Sequence, residues 1–120
     1  MIKAMILAAA ALTMSATAAD AQTMIEKNNI KVENHLMTPE ALWAMGRIGA
    51  AEASPNGKQV VYQVGYYSVK ENKGHQMLFI MDANGKNKKA LTTDAKSESD
   101  AAWIQGGQKI AFIRDGQLWS

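Results

Sequence analysis

At 120 residues, with 48% apolar and 20% charged side chains, the chain holds at most one small domain. Thirteen Lys and Arg against eleven Asp and Glu leave a formal net charge of +2, too little for an electrostatic footprint on nucleic acid. There is no cysteine, which excludes a disulfide framework and lipid attachment through an amino-terminal cysteine.

Residues 1–21 read as a cleavable signal peptide: Lys3 gives a short positive start, Ala4 to Met14 an apolar run, and small residues follow. Ala19 and Ala21 sit three and one positions before a cut ahead of Gln22, while Ala16 and Ala18 support a competing cut after Ala18. A membrane anchor needs roughly 20 apolar residues, and Thr13, Ser15 and Asp20 break this run. The mature protein is therefore expected in the periplasm or outside the cell, free of the membrane.

Residues 22–37 are polar and aperiodic, a flexible lead-in. A short helix is expected over 38–49: Thr38 can cap it, Pro39 suits its first position, Glu40 complements its dipole, and Gly46 or Gly49 can end it. Leu42 and Met45 would form its apolar stripe.

From Ala50 the pattern changes to short β segments divided by turn residues. Ser54-Pro55-Asn56-Gly57 makes a tight turn in which Asn-Gly accepts positive φ. Val60, Tyr62, Val64 and Tyr66 alternate along a strand whose other side, Val61, Gln63, Gly65 and Tyr67, is also fairly apolar, as in an inner strand covered on both faces. Lys70 to His75 reads as a long hairpin connection and Met77 to Met81 as a second strand. Asp82-Ala83-Asn84-Gly85 is a turn, Ala90 to Thr92 a short outer strand, and Thr93 to Asp100 a polar connector.

The pattern then restarts. Gly57 placed over Gly107 aligns Gln59-Val60-Val61-Tyr62 with Lys109-Ile110-Ala111-Phe112 at a period of 50 residues; Leu78 and Leu118 correspond at 40 if the second hairpin is shorter. Such a period with several short strands per unit is the mark of propeller blades. The expected fold class is all-β: a first blade over 50–96 and the start of a second over 97–120, cut partway.

These residues resemble a known group. Ala53 to Lys58 with the Val60 strand, then Leu78 to Asp82, Asn84, Gly85, Leu91 and Thr92, look like the blade motif of TolB-type propellers. Leu36 to Gly49 is similar to the opening of the propeller in the prolyl oligopeptidase family of serine peptidases, in its branch of secreted dipeptidyl peptidase 5 and acylaminoacyl-peptidase-like enzymes. Asn56 stands where the motif usually has aspartate, and Gln105-Gly106 replace Pro-Asp in the second unit; both keep turn chemistry. The resemblance implies a parent enzyme that cuts short peptides in a carboxy-terminal α/β-hydrolase domain, with the propeller gating access. It further implies no cofactor and leaves a homodimer of the parent open. A non-catalytic TolB-like propeller that binds an envelope protein or peptide is the rival, and a small independent β domain a third reading.

No Gly-x-Ser-x-Gly elbow occurs in the sequence, and Ser68 reads as a loop residue, so catalytic residues are expected to be none here. His35 and His75 stand in polar segments without a second ligand at metal spacing and read as solvated loop histidines. Asp82, Asn84 and Gly85 lack the downstream glutamate of a calcium loop, and the Gly-Lys pairs at Gly57 and Gly85 lack the upstream glycine of a phosphate loop. Lys86, Lys88 and Lys89 form a solvated turn cluster. Trp43, Trp103 and Trp119 are expected in core packing. Metal and cofactor ligands are likewise expected to be none.

A lone blade plus two strands leaves the Val60 and Leu78 strands without neighbouring sheets. Residues 22–120 in isolation are therefore expected to aggregate or unfold without cooperativity, and a sharp thermal transition in the purified monomer would contradict this.

Overall fold

The computed structural model describes residues 25–27 and 29–120. The signal peptide and its cleavage residues Ala19, Ala21 and Gln22 lie outside them. One short helix, α1 (Pro39–Ala44), precedes seven strands: β1 (Arg47–Ala53), β2 (Gln59–Ser68), β3 (Lys73–Asp82), β4 (Lys89–Ala90), β5 (Glu98–Ile104), β6 (Lys109–Arg114) and β7 (Gln117–Trp119). The strands form two antiparallel sheets, ordered β1-β2-β3-β4 and β5-β6-β7. Among the described residues no helix is long and apolar enough to cross a membrane.

The helix begins as its sequence directs, with the Thr38 hydroxyl accepting the Ala41 N–H at 3.2 Å and proline at the start. It ends sooner than expected. Met45 is already extended at ψ 133°, and the residues expected to finish a helix over 38–49 instead begin β1 at Arg47. The reason lies at Gly46, where an added Cβ would sit 2.8 Å from the Tyr66 ring and 2.9 Å from Val64 Cγ1. Only glycine lets the backbone come this close to the sheet. The expected Leu42 and Met45 stripe is exposed, and Ala41 is the buried face of α1.

The β2–β3 ladder is the longest pairing, running in unbroken register from Gln59 opposite Asp82 to Ser68 opposite Lys73. The connection expected over Lys70 to His75 is thus a four-residue turn, 69–72, in which Asn72 takes φ 50° and donates its N–H to the Val69 carbonyl. Val61 and Leu78 are each 1% exposed and anchor the core, with Val64, Met77, Ile80 and Phe112. At the other end, the Ser54 hydroxyl accepts the Gln59 N–H at 3.0 Å and donates to Asn56 Oδ1 at 2.6 Å, while Gly57 adopts φ 71°. That turn therefore closes on its own side chains. Asp82 and Asn84 likewise serve their turn: Asn87 Nδ2 donates to Asp82 Oδ2 and the Lys86 N–H to Asn84 Oδ1.

The second sheet repeats the first, with a correction to the expected alignment. Both first strands carry the same irregularity, between Ile48 and Ala51 in β1 and between Ser99 and Ala102 in β5. With the two bulges superposed, Ser99 follows Ile48 by 51 residues but Ile113 follows Val64 by 49, because the turn at Gln105–Gly107 is shorter than the one at Ser54. Val61 therefore matches Ile110, not Ala111, and Met77 matches Leu118. The slip of one residue matters because it moves every side chain to the other face. The second sheet lies against the first through β5, which contacts β1, β2 and β3. Trp103 Nε1 donates to the Glu52 carbonyl at 3.1 Å across this junction, and Gly107 abuts Pro55 so closely that an added Cβ would be 3.0 Å from Pro55 Cδ. Trp43 and Trp119, expected in the core, are instead partly exposed.

Leu78→Ala is expected to cost about 2–5 kcal/mol by removing a fully packed side chain, whereas Val69→Ala, in the turn between β2 and β3 at a residue 62% exposed, should stay within about 0.5 kcal/mol. Pulse proteolysis in urea on the full-length gene product would read both; equal effects would contradict this assignment of the core.

Candidate functional site

His75 departs furthest from its expected role. It lies within β3, is 3% exposed, and faces two backbone carbonyls: Ile25 O at 2.9 Å from Nδ1 and Lys96 O at 3.2 Å from Nε2. The ring thus ties the lead-in and the inter-sheet connector to the first sheet. A serine–histidine nucleophile pair needs a free ring nitrogen within reach of a hydroxyl. Among the described residues no serine hydroxyl meets a histidine nitrogen: Ser54 and Ser68 accept backbone N–H groups in their own turns, and Ser97 accepts the Gln76 N–H at 3.1 Å. Nor do three or more His, Cys, Asp or Glu side chains among the described residues converge in a way that could hold a metal ion.

Glu98, expected in a polar connector, begins β5 and is 2% exposed. Its Oε1 accepts from Arg114 Nε at 2.9 Å and Nη2 at 2.6 Å, and from the Thr92 hydroxyl. Arg114 Nη1 reaches Asp94 Oδ2 at 3.2 Å, and the guanidinium lies over the Phe112 and Trp119 rings at 5.2 and 4.8 Å. A buried carboxylate survives only with such a partner. Nearby, Lys96 pairs with Asp115 at the surface, and that hydrogen bond raises the lysine pKa above its ordinary value. Arg114 and Trp119 also line an open cleft of about 570 Å³ between the sheets, with Ile80, Leu91, Trp103 and Phe112.

A second cavity, of about 430 Å³, opens at the end of the first sheet. It is lined by Arg47 from β1, Gln63, Gly65, Tyr66 and Tyr67 from β2, and Gly74 and Gln76 from β3. Arg47 is exposed and lies 4.9 Å over the Trp43 ring, which in turn tilts against Tyr67 with centroids 4.9 Å apart. Tyr67 donates its hydroxyl to Asn72 Oδ1, so this aromatic wall is fixed at both ends. Burial, then the neighbouring Tyr62 and Glu26, raise the Tyr66 pKa above the ordinary tyrosine value. Composition named none of these lining residues as a site; the signal was the bracketing of Arg47 and Gln76 around a glycine, and it is visible only once the register is known.

The pKa of Tyr66 gives a pH test. The folded state holds its phenol protonated to higher pH than the unfolded chain does, so its contribution is complete below the ordinary value of 10.0 and is lost as pH rises through the raised one. Tyr66→Phe should soften the alkaline fall in urea midpoint; an unchanged alkaline limb would contradict the burial assigned to Tyr66. Lys96 acts in the same direction and remains in the variant, so the fall should weaken without vanishing.

Two relatives resemble the chain. It is 42% identical over 81 residues to a Porphyromonas endodontalis protein named Dipeptidyl-peptidase 5, a match covering 68% of this chain and 12% of that protein. It is 32% identical over 100 residues to the Porphyromonas gingivalis protein of the same name, covering 83% and 14% respectively. The matched segment is thus about one eighth of either relative. No protein-family profile matches the chain.

Proposed function

We propose that this chain is the front of an exported serine peptidase of the prolyl oligopeptidase family, in which it forms the first blade and part of the second of a β-propeller. The observation that carries this reading is the 42% identity over 81 residues to a protein named Dipeptidyl-peptidase 5. The repeat supports it independently: two antiparallel units share a bulged first strand, lie one against the other, and follow each other at about blade spacing.

In this reading the signal at Met1 to Ala21 directs export to the periplasm or beyond. The propeller admits short peptides to a hydrolase domain by size, excluding folded proteins. The described residues supply walls and openings, and the nucleophile and its base come from the hydrolase domain. The partner is then a short peptide substrate, and the parent acts as a monomer or homodimer without nucleic acid or membrane.

The test is to incubate the full-length gene product with unblocked peptides of four to ten residues and follow products by mass spectrometry. Release of amino-terminal dipeptides, abolished by a fluorophosphonate that labels an active serine, is the expected result. Binding of peptides with neither hydrolysis nor labelling would favour a non-catalytic TolB-like propeller.

A further inference from the structure

The two sheets are repeats, so each position in one can be compared with its counterpart in the other. One row beyond the pair that flanks the bulge, Arg47 pairs with Gly65 and Gly65 with Gln76. The matching row of the second sheet is Glu98, Arg114 and Gln117. Residues directly opposite in antiparallel strands share a face, so each row presents its three side chains together. The second row is complete: the Glu98 carboxylate and Arg114 guanidinium neutralise each other beneath the surface. The first row holds a guanidinium and no acid. Among the described residues Arg47 forms no ion pair with a carboxylate, and the position across from it is a glycine.

We infer that the notch between Arg47 and Gln76, over Gly65, is a binding site for the carboxylate of a short peptide. The missing side chain at Gly65 leaves room: an added Cβ would touch only the Arg47 carbonyl oxygen, at 3.8 Å. No positive φ requires glycine there, so its backbone conformation is open to any residue. The guanidinium is held from behind by the Trp43 ring, and among the described residues its N–H edges meet no acceptor, which suits a planar, two-oxygen one. Gln63 and Gln76 add amide donors at the rim, and the cavity of about 430 Å³ accommodates the last residues of a peptide. Net charge is small across the chain, so recognition comes from these three local donors and not from a general basic field.

The choice of a peptide as the carrier of the carboxylate rests on the peptidase reading above; the carboxylate preference itself rests on the row comparison. Calorimetry on the full-length gene product, treated with a fluorophosphonate so that no probe is consumed, separates the two. Three probes are used: N-acetyl-trialanine with a free carboxylate, its carboxyl amide, and N-acetyl-Ala-Asp-Ala-amide, whose only carboxylate is on a side chain. The free acid should bind and the plain amide should not. Binding of the aspartyl amide as tightly as the free acid would identify a side-chain carboxylate as an equal occupant; its failure to bind would identify the peptide terminus. Either supports the site.

Arg47→Gln should weaken the free acid at least about tenfold, with Arg47→Lys restoring part of the loss. Gly65→Glu would supply the missing acid internally and abolish binding without lowering the unfolding midpoint. Equal binding of acid and amide, or undiminished binding in Gly65→Glu, would overturn the inference. Peptide hydrolysis by the untreated protein is measured alongside: hydrolysis without carboxylate selectivity refutes the site and leaves the peptidase reading standing, whereas selectivity through Arg47 without hydrolysis does the reverse.

Discussion

Everything else in the structure is referred to the ten-residue pairing of β2 with β3. That ladder sets the register that buries Val61 and Leu78 together, and it is long enough to give the sheet two usable faces. β1 and β4 flank it, and the second sheet docks through β5 against β1 and these two strands. Burial of a few fully enclosed aliphatic side chains stabilises this arrangement by roughly 1.5–3 kcal/mol each. Several other large apolar side chains among the described residues, Ile48 and Leu118 among them, are exposed.

Around that ladder, polar groups decide where segments attach. His75 draws the Ile25 and Lys96 carbonyls to one ring, so the lead-in and the connector are both held by a single buried side chain. Glu98 does the same for the second sheet, collecting Thr92 and Arg114 and, through the arginine, Asp94. Both residues sit where strand and connector meet. Burial of such groups is costly unless every polar atom finds a partner, and among the described residues no buried side-chain polar atom lacks one.

The sequence made the turns and the central strand legible because their chemistry is local. Ser54 to Gly57 and Asp82 to Gly85 carry the side chains that close them, and the alternation from Val60 to Tyr66 needs only neighbours two apart. What stayed hidden depends on distant partners. His75 reads as a loop residue until Ile25, fifty positions away, is placed beside it. Arg47 to Gly49 reads as the tail of a helix because a glycine at 46 or 49 can end it, and only the pairing of Arg47 and Ile48 with β2 makes this stretch a strand. The repeat was visible but its register was not: the glycines of the two turns align by sequence, yet turns of unequal length shift the strands behind them by one residue. The candidate notch follows from that corrected register, which is why it could not be read beforehand.

The second sheet packs on the first as a register-matched repeat. This packing is tested most directly by proton NOEs in a sample of the full-length gene product labelled only at tryptophan and proline. The Trp103 indole N–H should show contacts to β1 near Glu52, and the Pro55 ring should show contacts to the Gly107 Hα protons, in the same sample. Absence of both, with the β2–β3 ladder intact, would mean that the sheets fold but do not pack in this way.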